Sequence, residues 1–516
     1  MKRMLPGLSL AMVLLIATGG PAPSELSAQT WATEDPILEQ IWEEAMENSH
    51  LEMLGHQLLD SVGPRLTGSP GLDRAHDWAM RTLQGWGVDA ANEQYGTWRG
   101  WDRDITHIDL IEPRLRTLDG TMLAWSPGTD GPVEGEVVVF PAWETEEELE
   151  EWMATEVEGR FVAIAFPQPT CRPDYHFEDF GSSGALDRMS ESRQEALQTF
   201  RETRVAQPGL VRLDLDAAGA LGILESNWVG RPGTNRLFST NTENAVTLDL
   251  SCEDYGLVYR LAESGSLPVL RVNAQSEDLG EVPVYNTIGR IEGTELPDEY
   301  VFLSAHFDSW DGGSGATDNG TGSILMMEVM RILSDVYPNP RRTIMIGLWG
   351  GEEQGLNGSR RFVADNPDIV DNIQALFNQD NGTGRVANIS TQGLIEAGEH
   401  WARWLSVIPQ QVTTHINLNL PGNPSTGGTD HASFICAGAP AFGLSSISWG
   451  YNPYTWHTVR DTYDKIVFEE VRNNAALIAM LTYLASEDPD PVSRVQRSFP
   501  GDRSWPTCQP GRTSSN

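Results

Sequence analysis

The chain has 516 residues and a formal net charge of −38, with 73 acidic against 35 basic side chains. That length exceeds one compact core and predicts at least two domains. The charge repels nucleic acid and anionic lipid, so neither is expected as a partner; a heavily solvated surface accounts for it without any catalytic meaning.

The N-terminal MKRMLPGLSLAMVLLIATGG joins a basic start, Lys2 and Arg3, to an apolar run from Leu8 to Ala17. That run is too short to span a bilayer and reads as a secretory signal peptide, residues 1–28, although Leu26 is not the small residue a cleavage site near Ala28 would favour. A secreted or periplasmic location follows, with no membrane attachment after cleavage. Export permits disulfides. Cys171, Cys252, Cys436 and Cys508 allow three pairings; Cys171 with Cys252 is expected, because both fall in one candidate domain. No C-x-x-C pair exists, so a thiolate zinc knuckle is not expected.

Asp35-Pro36 caps the helical pattern ILEQIWEEAMENSHLEMLGHQLLD. The loop SVGPRLTGSPG follows, then a helix from about Leu72 to Leu83 that ends at Gly85 and Gly87. Over 118–275 short β-rich runs (VEGEVVVF, GRFVAIAF) alternate with TEEELEEW and AAGALGILES, predicting a small α/β insert. Over 276–487 the pattern strengthens. VFLSAHFD, RTIMIGLWGGEE, IQALFNQD and PAFGLSS are apolar runs between helical segments, as in a mostly parallel central sheet flanked by helices. With 29–117 this stretch forms the main domain. The tail 488–516, rich in Pro, Ser and Asp, is expected to be disordered.

Three of the runs end in ligand-type residues: His306-Phe307-Asp308, Glu352-Glu353 and Asp380-Asn381. Ligands of open α/β sheets bind at the carboxyl ends of strands, which predicts that His306, Glu352, Glu353 and Asp380 are neighbours. Asp318 stands at a helix start on the same edge, and His457 follows the fourth run. Two histidines and three carboxylates, one of them shared, suit two zinc ions, and Mn²⁺ or Co²⁺ would also fit. Adjacent residues in extended chain point to opposite sides, so one of Glu352 and Glu353 ligates while the other serves as general base. Asp308 is placed to fix the His306 ring. Singly, each has a plainer reading: a core histidine, a solvated acid pair, a helix cap. Those readings do not explain why three strands end alike.

The segments HxD…D, GGEEQGLNGS, NQDNG, GGTDH and WHTVRDTYD resemble the co-catalytic zinc peptidases of family M28, and within it the plasma glutamate carboxypeptidase branch. The resemblance is weak over 40–90 and strong over 285–470. It implies a zinc exopeptidase fold and identifies the insert as similar to a protease-associated (PA) domain. It implies two Zn²⁺: His306 and Asp380 on one, Glu353 and His457 on the other, Asp318 bridging. Glu352 would be the base, Asp308 its neighbour behind the ligands, and Asp430 and His431 would lie near the substrate or behind the ligands. Some members carry a tyrosine shortly before the Asp-His pair; here Ser425-Thr426-Gly427-Gly428 offers none.

The activity implied is hydrolysis at the ends of peptides or within dipeptides, as an aminopeptidase or dipeptidase. The alternatives are a carboxypeptidase, a glutaminyl cyclase-like enzyme with one zinc, and a non-catalytic binding protein, which should have lost ligands. The partner expected is a peptide or dipeptide; a homodimer is left open. The aromatic WGYNPYTW (449–456) lines the pocket or simply packs. Asn319, Asn357, Asn381 and Asn388 carry glycosylation sequons, two of them inside the metal motifs, and are read as coincidence.

Overall fold

The computed structural model describes residues 34–204, 208–501 and 504–515; the expected signal peptide lies outside them. Leu296–His306, Arg342–Trp349 and Ile373–Gln379 are the predicted apolar runs, and they pair in parallel. Ala441–Ser446 continues the parallel order beside Ile373–Gln379, and Val386–Ser390 turns antiparallel. Every residue of Arg342–Trp349 and Ile373–Gln379 is buried. Helices on both faces cause this, and strand alternation divides the side chains between them. Val301, Leu303 and Ala305 join a core with the helices Pro36–Met46, Thr321–Val336 and Phe468–Glu487, whereas Phe302 faces Phe362, Phe434 and Ile435 on the other side.

The first helix starts as its sequence dictates. Asp35 accepts a hydrogen bond from Ile37 N at 2.9 Å, and Pro36 occupies the first turn. The next long helix, Pro70–Gly85, begins earlier than expected because Ser69 caps Leu72 N at 3.3 Å.

Two strands of 24 and 23 residues, Asp89–Glu112 and Val269–Ile291, form an antiparallel ribbon. One end pairs with Arg342–Trp349 and the other with Val133–Val139. From there a parallel run continues through Phe161–Ala163, Gly222–Glu225 and Val246–Leu250, with one core of its own and one shared with Leu66, Trp98 and Val284. Strands of the expected insert thus continue the sheet path from the ribbon. The boundary expected between 275 and 276 cuts a continuous strand. Gly280, with φ +68°, and Pro283 break its apolar pattern, and the pairing runs past both with a register shift at Gly280.

Cys171 pairs with Cys252, and Cys436 with Cys508. The second bond joins the tail, which was expected to be disordered, to the main domain, and described tail residues 488–501 and 504–515 add backbone and side-chain contacts to it. Trp505 Nε1 donates to Ile435 O at 2.7 Å, and Thr97 N donates to Thr513 O at 2.8 Å. A composition poor in apolar residues misses such anchors, because one disulfide and one tryptophan supply them. Among the described residues, no helix is long and apolar enough to cross a membrane.

Candidate metal centre

His306 closes its strand, and its ring is oriented from behind. Nδ1 donates to the backbone carbonyl of Asp308 at 3.1 Å, leaving Nε2 free as a donor atom. The Asp308 carboxylate is 3.7 Å from that ring and has a further task. Its two oxygens accept the amides of Glu352 at 3.1 Å and Glu353 at 3.2 Å, and Thr67 Oγ1 at 3.2 Å. The acid pair therefore sits in a turn folded around Asp308, not in the extended chain expected. Gly351, at φ +70°, opens that turn, and the Tyr95 hydroxyl would collide with any Cβ there.

Asp318 precedes the helix Thr321–Val336 and has non-helical backbone angles, φ −134° and ψ 88°. The Asp461 carboxylate holds it there, accepting Thr317 N at 2.8 Å and Asp318 N at 3.0 Å. Arg65, from the early GPRLTGSPG loop, fixes the 307–315 loop. Its guanidinium donates to the carbonyls of Phe307 at 2.7 Å, Ser314 at 2.6 Å and Gly315 at 3.0 Å. Sequence reasoning missed Arg65, Asp461 and Tyr95; the first two stood inside quoted motifs without a role.

The five predicted ligand residues converge. His306 Nε2 lies 3.2 Å from Asp318 Oδ1 and 3.3 Å from Asp380 Oδ1. His457 Nε2 lies 3.2 Å from Asp318 Oδ2 and 2.9 Å from Glu353 Oε2. In each triad, His306–Asp318–Asp380 and Asp318–Glu353–His457, all donor atoms fall within 4.8 Å of one another. Glu352 stands beside them, and its carboxyl makes no hydrogen bond among the described residues.

Burial would depress both histidines, but the carboxylates outweigh it. Asp380 and Glu352 lift His306 well above its ordinary range, and hydrogen bonds to Asp318 and Glu353 lift His457 to about 9. Burial would raise Asp318, yet His306 and His457 hold it well below the usual carboxylate range. Burial pushes Glu352 well up, with His306 opposing and Asp380 and Glu353 adding. Burial and the Asp318 charge bring Glu353 to about 7.

Asp430 and His431 are buried outside both triads. Burial raises Asp430 to about 7 and lowers His431 to about 4; the Asp380 charge acts on both. Within the aromatic 449–456 segment, Tyr451 is raised well above its ordinary range by burial and then by the charges of Asp318, Asp380 and Glu353. Two of the sequon asparagines, Asn319 and Asn357, are buried.

Does this constellation suit metal ions? Asp308, Asp318, Glu353, Asp380 and Asp461 bury their carboxyls around two histidines and Arg65, so acids outnumber cations in low dielectric. Glu353 Oε1 is buried with no hydrogen-bond partner among the described residues. Imidazole and carboxylate donors in two triads sharing one residue match divalent cations, zinc among them. The residues fit.

Comparison with known proteins agrees. Residues 286–482 match the model of Peptidase family M28. Carboxypeptidase Q of Mus musculus is 26% identical over 451 residues, spanning 87% of this chain and 88% of that protein. A peptidase M28 precursor from Shewanella amazonensis SB2B superposes with a TM-score of 0.63 at 23% identity, over 90% of this chain and 99% of its own. A zinc aminopeptidase from Bacillus subtilis gives a TM-score of 0.53 at 16% identity, over 87% and 97%.

Proposed function

Starting from a chain that belongs to peptidase family M28 and is thereby a metallopeptidase, we propose that it is an exported two-zinc exopeptidase that trims peptide ends or splits dipeptides, as an aminopeptidase or dipeptidase. The observation carrying this reading is the Asp318 carboxylate shared by two donor triads. His306 and Asp380 would hold one ion, Glu353 and His457 the other, with Asp318 serving both. Ions held there supply a Lewis acid for the scissile carbonyl and acidify water.

The chain's own residues do the rest. Glu352 is the proton acceptor: it is unpaired, adjacent to the ligands, and its proton affinity is raised by burial. It takes the proton of the attacking water and returns it to the leaving amine. Asp308 sets its position through the two backbone amides. Asp430 and His431 support the pocket behind Asp380. Export agrees with the signal-like N-terminus and the two disulfides.

Carboxypeptidase action is the second reading, favoured by relatives named carboxypeptidase Q. Mass spectrometry of a short peptide, free and N-acetylated, with a chelator control, separates the two. Loss of N-terminal residues, blocked by acetylation and by chelator, is expected. C-terminal trimming of the acetylated peptide selects the carboxypeptidase. Failure to cut any peptide or dipeptide sinks both.

A further inference from the structure

A cavity of about 490 Å³ leads off the metal centre. It shares Trp310 and Glu353 with the narrow cleft at Asp318 and His457. Its walls are aromatic, with Trp98, Trp125 and Phe238 beside Trp310, and its cations are Arg99 and Arg512. Arg512 belongs to the C-terminal tail, beyond the matched peptidase segment that ends at residue 482.

The tail is fixed at this wall. The Cys436–Cys508 bond ties it down just upstream. Gly511 is seated so closely on the Asn357 backbone that a Cβ would meet its carbonyl oxygen at 2.5 Å. Arg512 N donates to Asn357 Oδ1 at 2.9 Å, and Arg512 Nη2 donates to the carbonyl of Gln354 at 2.5 Å, next to Glu353. The guanidinium lies over the Trp98 ring, 5.3 Å from its centroid.

Charge balance singles this residue out. Arg99 is paired with Asp278 at 3.2 Å. Arg512 has no carboxylate partner among the described residues, in a chain with 73 acids against 35 bases. Glu243 lines the same cavity from the insert and pairs with neither arginine. A guanidinium carries five donors; with one on a carbonyl and its plane over a tryptophan, it presents a preset fork to an incoming anion.

We propose that the C-terminal tail is part of the substrate site, and that Arg512 receives a carboxylate of the bound peptide on the far side of the bond that is cut. The proposal rests on the peptidase reading above. That carboxylate is either the substrate's free C-terminus or an acidic side chain, and both offer the fork the same chemistry.

The test uses the full-length, disulfide-bonded holoenzyme and three dipeptides: Ala-Leu free acid, Ala-Leu amide and Ala-Glu amide. The parent enzyme should favour the free acid over the amide. In Arg512→Ala that ratio of kcat/KM should fall about tenfold to hundredfold, chiefly through KM, as for a lost charge-assisted hydrogen bond. Arg512→Gln should fall as far, which assigns the loss to charge, and Arg512→Lys should lie between. Preference for Ala-Glu amide over Ala-Leu amide identifies the side chain as a source. Calorimetric titration of the same compounds onto Glu352→Gln protein, with and without Arg512→Ala, reads the preference without turnover. Absent cleavage with the acid preference intact overturns the peptidase reading alone. No preference in the parent for either carboxylate, the free acid or the Glu side chain, or equal weakening of acidic and neutral dipeptides by Arg512→Ala, overturns the role of Arg512.

Discussion

The carboxylate of Asp318 faces two histidines at once: Oδ1 lies 3.2 Å from His306 Nε2, and Oδ2 lies 3.2 Å from His457 Nε2. Nothing else among the described residues belongs to both triads. Asp318→Ala should therefore cost the protein both metal ions, whereas His306→Ala and His457→Ala should each cost one. Elemental analysis after dialysis reads the outcome, and an Asp318→Ala protein that keeps one full equivalent contradicts a shared ligand.

Glu352→Gln preserves shape and removes the proton acceptor. Turnover should fall about 10²- to 10⁴-fold, the usual contribution of a general base, with metal content at the parent level. Metal analysis beside steady-state kinetics checks this. Parent-level activity would move the base elsewhere.

Metal uptake should strengthen as pH rises. In chelator-treated protein His457 titrates at about 9 and His306 is raised as well. Below that pH each holds a proton that an incoming ion must displace. Apparent affinity should rise about tenfold per pH unit for each proton displaced, with the His457 share of the rise ending above about pH 9. Competition with a chelating dye from pH 6 to 9 follows it; a flat profile denies that these histidines are ligands.

His76 makes the fold acid-sensitive. Burial lowers it to about 3, with the Asp308 charge opposing, and its Nδ1 lies 2.8 Å from Thr287 Oγ1. Unfolded, a histidine titrates near 6.5. From about 6.5 down to about 3 the unfolded chain binds a proton that the folded chain refuses, so stability falls with pH by about 1.4 kcal/mol per unit. His76→Gln should flatten that slope in denaturant unfolding at pH 7, 6, 5 and 4. An unchanged slope would show that other groups carry it.

The metal ligands were legible because each ends an apolar strand or opens a helix on one sheet edge. His306, Glu353 and Asp380 could be aligned from strand pattern alone. Arg65 and Asp461 could not. Their hydrogen bonds go to backbone groups far away in sequence, at Phe307 and at Thr317, and no spacing encodes such a partner. Asp308 was expected to orient His306 through its carboxylate. Its carbonyl takes the shorter contact to the ring, and its side chain also organises the Glu352–Glu353 turn. The ribbon and the tail escaped for one reason. Both are half-exposed, so hydrophobic periodicity is weak where Gly280 interrupts the ribbon and where a disulfide holds the tail.

Zinc titration of the chelator-treated protein, with bound metal and dipeptide hydrolysis followed together, tests the central claim most directly. Two equivalents bound per chain, with full hydrolysis reached only as the second binds, is the predicted result. Saturation at one equivalent, or hydrolysis by the chelated protein, would contradict a two-metal peptidase.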